Sequence, residues 1–421
     1  MRIWLVTIGE PIFHSENKLR LHRTGILSKY LIENTNHDVI WWTSSFSHFE
    51  KKHLFDRDTF VKVDSRFQMI VLKGKGYKRN ISIDRIIDHS QIAKKFDNLK
   101  NYEEKPDIIV AAFPTMGLCK VALDFAKKNK IPVVIDYRDM WPEVYVDIIP
   151  QRLQFIGRLF LKPLYKNVAN IFKEATGIFG ITQDFLNLAL KKIKRKQNGF
   201  DGVFPLGYLT DQYLSKDLED ARLFWSSKLN VNSKSLKICY FGAIGYQSNW
   251  DTIIKAAEYL YKEKLDVEII ICGSGDKLQE LKDSSHGNTN ILFPGFVSAA
   301  QIKALMEISD IGLCAYYPKE SYLNSIPGKA IEYLSSGLPI LSTLEKGTLG
   351  KLLNDYNIGY HYIHDSHHSL INVIKKILET KNELQEKSDL IKNIYMEHFD
   401  ANEVYRKYTE QLEYIVNSFQ R

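Results

Sequence analysis

The sequence predicts an α/β protein made of two Rossmann-like, doubly wound domains facing across a cleft. Three observations predict it. The chain has 421 residues, and since domains usually run to about 100–200 residues, two is the natural count. Short apolar runs alternate with helically spaced segments through each half, as parallel βαβ units require. The alternation breaks once, in a polar stretch over 210–235, and then restarts. The expected domains are therefore 1–209 and 210–401, with a helix within 402–421 packing back on the first. Sheets of this kind bind ligands at the carboxyl ends of their strands, so the cleft is where a site belongs.

In the first half, 2–8, 39–43, 68–72, 107–112, 132–136, 176–181 and 203–206 read as strands, and 21–33, 83–99 and 116–129 as helices. The polar break holds one helical segment, 217–229, and the turn-rich Asn230-Val231-Asn232-Ser233. Beyond it, 236–241, 267–272, 290–293, 311–314 and 339–342 read as strands. Between them 249–261, 276–281, 300–308 and 327–335 have helical spacing, as does 402–416.

Hydrophobic residues make up 44% and charged residues 25% of the chain, the balance of a soluble globular protein rather than a disordered one. The apolar run 3–8 is ended by Gly9, Glu10 and Pro11, too short for a secretion signal. No stretch approaches the ~18 apolar residues of a membrane-spanning helix. A cytoplasmic protein is expected. Cys119, Cys239, Cys272 and Cys314 lie far apart without a C-x-x-C pair, which reads as buried thiols rather than a zinc site or disulfide frame.

The run Ser325-Ile326-Pro327-Gly328-Lys329-Ala330-Ile331-Glu332, closed by Gly337 and Pro339, is the most informative. Pro327 suits a first helical turn and Gly337 a helix end. The N–H groups around Gly328 and Lys329 then make an anion site, to which Lys329 adds a full charge. Glu332 lies one turn on, on the same face. An anion site beside a carboxylate suits a nucleotide diphosphate sugar, with phosphates at Lys329 and ribose hydroxyls at Glu332. The same pattern also fits an amphipathic helix with both charges in solvent.

This stretch resembles the donor-binding motif of retaining family 4 glycosyltransferases of the GT-B fold. That family carries two glutamates eight positions apart; the second matches Glu332, and Asn324 stands at the first. Pro327, Lys329 and Glu332 fit the Pro-x-Lys-x-x-Glu form of relatives that build bacterial surface polysaccharides. Gly242 and Gly245 in Phe241-Gly242-Ala243-Ile244-Gly245, Gly273 and Gly275 in Cys272-Gly273-Ser274-Gly275, and Phe296 and Val297 in the loop the family sets against the base match in order. With Asn324, Ser325, Gly328 and, from the first turn of the chain, Gly9, these are the donor-binding positions the resemblance implies.

Asp136-Tyr137-Arg138-Asp139-Met140-Trp141-Pro142-Glu143 follows an apolar strand and resembles the Asp-x-Arg-Asp-x-Trp-Pro-Glu motif of the same relatives. Arg138 falls where many family members have a histidine near the sugar, and Asp139 follows as a candidate base. The alternative is an Arg–Asp pair that shapes a loop. After Gly9-Glu10-Pro11, the run from Asn17 to Arg23 offers Arg20 or Arg23 where relatives have an arginine. Trp41-Trp42-Thr43-Ser44-Ser45-Phe46-Ser47-His48 shapes the acceptor side or, alternatively, supplies core tryptophans. Asp56-Arg57-Asp58 follows no apolar strand and reads as a solvated loop; the resemblance implies catalysis without a metal.

The net charge of +7 is uneven, since 151–200 alone carries +8. Within 153–175, Arg158, Lys162 and Lys166 form one basic stripe beside a broad apolar set, with Pro163 starting a second helical part. This reads as an interfacial surface on an anionic membrane over 151–196, or as a core helix with a solvated basic face. Nucleic acid is not the expected partner, because aromatic residues are not interleaved with the stripe. The function expected is a metal-independent hexosyltransferase without a bound cofactor. It moves a sugar from a nucleotide sugar to a glycan or lipid-linked acceptor, with retention, in polysaccharide or lipopolysaccharide assembly at the inner face of the membrane. A nucleotide-sugar epimerase and a non-catalytic scaffold of the same fold are the alternatives.

Overall fold

The computed structural model describes every residue except 14–19, 49, 81, 147–148, 211–213, 232 and 420–421, so Asn17 and Asn232 lie outside the described residues. The chain forms two compact units, Met1–Gly207 with Val404–Arg421, and Tyr208–Glu403. Both are Rossmann-like.

The first unit holds β1 (Arg2–Val6), β2 (Asp38–Ser44), β3 (Phe46–Ser47), β4 (Lys52–His53), β5 (Thr59–Lys62), β6 (Phe67–Leu72), β7 (Ile108–Phe113), β8 (Val133–Tyr137), β9 (Gly177–Gly180) and β10 (Gly202–Val203). Eight of these make one sheet in the order β10-β9-β8-β7-β1-β2-β6-β5. It is parallel except at its edge, where β5 runs against β6. The inner strands are near-continuous apolar runs because helices cover both faces; every residue of β7 is buried. Trp4 stacks on Phe125 at 5.3 Å and meets Trp42 edge-on at 5.3 Å. Trp41 and Trp42 are fully buried, and the Trp41 indole donates to the Thr7 carbonyl at 3.0 Å. The tryptophan pair is therefore core and does not shape an acceptor surface.

The terminal helix Ala401–Phe419 places Val404, Tyr405, Tyr408, Leu412 and Ile415 on one buried stripe at helical spacing. Tyr408 lies between Phe179 and Phe204, at 4.8 and 4.9 Å.

The second unit holds β11 (Leu236–Phe241), β12 (Val267–Cys272), β13 (Ile291–Gly295), β14 (Ile311–Cys314), β15 (Ile340–Ser342) and β16 (Gly359–His361). All are parallel, in the order β13-β12-β11-β14-β15-β16, which is the Rossmann order 3-2-1-4-5-6. The strand-and-helix reading above stops at Ser342 and resumes at Asn402. Between them the chain adds β16 and helices at Thr348–Asp355, His367–Glu379, Lys381–Glu386 and Ser388–His398. Among these, Leu370, Ile371, Ile374 and Ile377 are a clear buried stripe.

Tyr408→Ala is expected to cost the first unit about 3–5 kcal/mol, the usual toll of emptying a large aromatic site. Urea denaturation followed by tryptophan fluorescence checks it.

Candidate functional site

In the second unit the chain order reverses between β11 and β14, and ligands of doubly wound sheets bind outside the strand ends at such a point. The loops after β11, β12 and β13 are laced there by backbone bonds. The Gly242 amide donates to Cys272 O at 3.1 Å, the Ile244 amide to Ser274 O at 2.8 Å and the Gly273 amide to Gly295 O at 2.7 Å. Gly242, Gly273 and Gly275 have φ of +134°, +133° and +151°, which only glycine adopts readily. A Cβ on Gly273 would collide with the Gly242 carbonyl, and one on Gly275 with the Ile244 carbonyl. Gly245 differs, because a Cβ there meets only the flexible Gln247 side chain.

Lys329 enters from the helix Gly328–Ser335. Pro327 is its N-cap, with ψ of 140°, and not its first helical residue; the extended ψ sets the chain's entry angle and leaves Gly328 to begin the helix. The far end is a Schellman cap, with Leu338 N on Tyr333 O, Gly337 N on Leu334 O and Gly337 at φ +76°. Lys329 is 9% exposed. Its Nζ lies 3.6 Å from the Tyr240 ring centre and 5.0 Å from that of Tyr316, residues at the ends of β11 and β14. A Cβ at Gly242 would stand 3.2 Å from it. Burial pushes this ammonium down to about 8, with Cys314 and Glu332 partly offsetting the shift. Glu332 is itself buried. Nothing lies within 4 Å of where a Cβ on Gly328 would be, so space is open beside the helix start.

Tyr322 stacks on Tyr316 at 4.6 Å. Asn324, whose amide donates to Glu320 O, and Ser325, whose hydroxyl donates to Tyr322 O, follow on the same loop. The structure thus gathers Gly242, Gly273 and Lys329 directly, and Asn324 and Ser325 through the Tyr316–Tyr322 stack. In the loop after β13, Phe296 is exposed and Val297 buried, so only Phe296 presents its side chain outward. Tyr240 and Tyr316 escaped the sequence reading. Their signal is an aromatic residue at or just after the end of each strand flanking the point of reversal.

In the first unit, Gly9 follows β1 with φ +84°. Arg138 is engaged on three sides: it bonds Asp136 at 2.7–2.8 Å, Glu10, and the Thr24 hydroxyl at 3.1 Å. Arg23 closes the set, with Nε 2.9 Å and Nη2 3.0 Å from the Asp136 carboxylate. Burial pushes Asp136 up, but Arg138 and Arg23 outweigh it and hold the carboxylate below its usual range. Arg138 therefore pairs with Asp136 and Glu10 rather than with Asp139, and its charge is already spent within the fold. Asp139 accepts from the Met140 amide and the Trp141 indole; burial dominates and pushes its carboxyl up.

Asp58 of the Asp56-Arg57-Asp58 run is tied to the Lys73 amide at 2.7 Å and to Lys95, so it is a pinned turn rather than a freely solvated loop. Among the described residues no group of three or more His, Cys, Asp or Glu could hold a metal ion. In the basic segment the apolar set divides. Val168, Ile171 and Phe172 are core, while Leu153, Phe155, Leu159 and Phe160 are exposed beside Arg152, Arg158 and Lys162. No helix among the described residues is long and apolar enough to cross a membrane.

Residues 221–396 match the family described as glycosyl transferases group 1. The chain is 22% identical over 348 residues to alpha-monoglucosyldiacylglycerol synthase of Streptococcus pneumoniae, covering 80% of this chain and 73% of that protein. Among solved structures, sucrose-phosphate synthase of Thermosynechococcus elongatus superposes with a TM-score of 0.72 at 14% identity, over 99% of each chain. HepE of Anabaena, solved in complex with UDP, gives 0.64 at 13% identity over 98% of this chain and 99% of its own. The fold is GT-B.

Gly273→Ala is expected to cost about 1–3 kcal/mol, since the added methyl meets a carbonyl and the backbone is strained. Gly245→Ala should stay within about 0.5 kcal/mol. Chemical denaturation of the two variants side by side checks the contrast.

Proposed function

We propose that this chain, which matches the group 1 glycosyl transferases over residues 221–396, moves a sugar with retention from a nucleoside diphosphate sugar to a lipid-linked or polysaccharide precursor. The observation that carries the reading is the buried Lys329 ammonium at the β11/β14 reversal, beside a helix start and three close-packed glycine loops. In glycosyl transfer, negative charge builds on the leaving diphosphate. A fixed cation and helix N–H groups aimed there stabilise the transition state more than the ground state. Lys329 and the amides of Gly328 and Lys329 supply both. Glu332, buried one turn on, accepts from ribose hydroxyls. Asp139, or the leaving phosphate itself, takes the acceptor's proton, and no metal is needed. UDP in the complex of HepE supports a nucleoside diphosphate donor. The name of the Streptococcus relative supports a lipid acceptor.

The exposed Leu153, Phe155, Leu159 and Phe160, with Arg152, Arg158 and Lys162 beside them, suit the inner face of an anionic membrane. Each basic residue there is worth about 1 kcal/mol.

Thermal stabilisation by UDP, GDP and CMP, on the wild type and on Glu332→Ala, tests the donor site. One nucleoside diphosphate should raise Tm by mass action, and the variant should lose that shift. A wild type unmoved by every nucleotide would sink the reading.

A further inference from the structure

The first unit has a reversal point of its own, between β1 and β7. In a doubly wound sheet, an anion bound there sits at the start of the helix that follows the first strand. Here that helix is Arg23–Asn34, and a carboxylate of the chain itself stands at its start. Glu10 Oε2 accepts from the Thr24 amide at 2.8 Å, in the first helical turn, and Oε1 accepts from the Thr24 hydroxyl at 2.8 Å. Arg138 donates to Oε1 as well. The N-cap residue, His22, makes no side-chain cap bond, so Glu10 caps this helix from 14 positions before Thr24.

A backbone amide, a hydroxyl and a guanidinium converging on one group are the donors that hold a phosphate. Glu10 gives them an internal anion instead. The side chains of Glu10 and Arg138 are only 10% and 15% exposed, so water screens the pair little. The charges close evenly, with Arg23 and Arg138 set against Asp136 and Glu10. A further anion arriving at these turns would meet two carboxylates while both guanidiniums are engaged, and like charges set side by side repel. Space does lie open beside the turn, since nothing stands within 4 Å of a Cβ built on Gly9. The selection is therefore one of charge and not of room.

We propose that Glu10 is a built-in anion in the phosphate seat of the first unit, and that it selects an acceptor whose reacting end is an uncharged sugar or alcohol over one phosphorylated beside the reacting hydroxyl. The proposal deepens the transferase reading and rests on it. That reading brings the acceptor hydroxyl to Asp139, in the turn after β8. The cation of that turn is Arg138, and Glu10 and Asp136 already hold it. Substituting Glu10 leaves two guanidiniums against Asp136 alone, which turns the same donors into a seat for an outside anion.

Calorimetric titration of the full chain with inorganic phosphate, glucose 6-phosphate and methyl glucoside tests this, with UDP at saturation to occupy the Lys329 site. Wild type should bind glucose 6-phosphate no more tightly than methyl glucoside. Glu10→Ala should bind inorganic phosphate about tenfold or more tighter than wild type, and Glu10→Gln, which keeps the shape and loses the charge, should show a smaller gain. Adding Arg138→Gln to Glu10→Ala should abolish the gain. If Glu10→Ala fails to fold, melting of Glu10→Gln in phosphate against chloride at equal ionic strength carries the test, and phosphate should raise its Tm more than that of wild type. Equal phosphate response in wild type and the Glu10 variants would overturn the proposal. So would tighter binding of glucose 6-phosphate than of methyl glucoside by wild type. Failure of UDP itself to bind would count against the donor reading, while the gain on removing Glu10 still reports on the seat.

Discussion

A buried ammonium sets the terms for the second unit. Moving an unpaired charge out of water costs several kcal/mol even after relaxation, and the rings of Tyr240 and Tyr316 return only about 2 kcal/mol when a cation is desolvated between them. The shift of Lys329 to about 8 records that imbalance. An anion arriving at the nitrogen removes it, which turns a local destabilisation into binding energy. The glycines at 242, 273 and 275 make the arrival possible, because their loops pack backbone against backbone with no side chain between.

In the first unit the buried charges meet one another. Arg23, Asp136, Arg138 and Glu10 close on one another, with the hydroxyl and amide of Thr24 filling the remaining valences. A buried network satisfied in this way rigidifies the turns after β1 and β8 and has no capacity left for a ligand. At Lys329 the nitrogen faces the rings of Tyr240 and Tyr316 instead. Counting counter-charges separates scaffold from site more sharply than the motif does.

That distinction marks the limit of what a sequence tells. Segments with strong periodicity and clean ends were legible: 83–99, 116–129, 236–241, 267–272 and 311–314 are helices and strands with the bounds the pattern implies. β5 and β16 were not, being short and only partly buried edge strands with little hydrophobic pattern to read. The helix at Lys381–Glu386 buries one residue, Leu384, and shows no stripe. Lys329 and Glu332 could be picked from their place at a helix start. The burial of Lys329 could not, because it depends on tyrosines brought in from two other strands. The pairing of Arg138 with Glu10 could not be read for a similar reason: the two lie 128 positions apart, and only the sheet brings them together.

The most direct test of the account is proton uptake when UDP binds, measured by calorimetry at about pH 8 in buffers of different ionisation enthalpy. At that pH half of the free Lys329 is neutral. A diphosphate against its nitrogen raises the pKa, so by linkage about half a proton should enter per UDP bound. Lys329→Arg, always charged, should show none. Absence of uptake in the wild type, or equal uptake in Lys329→Arg, would contradict the claim that this buried cation meets the donor's diphosphate.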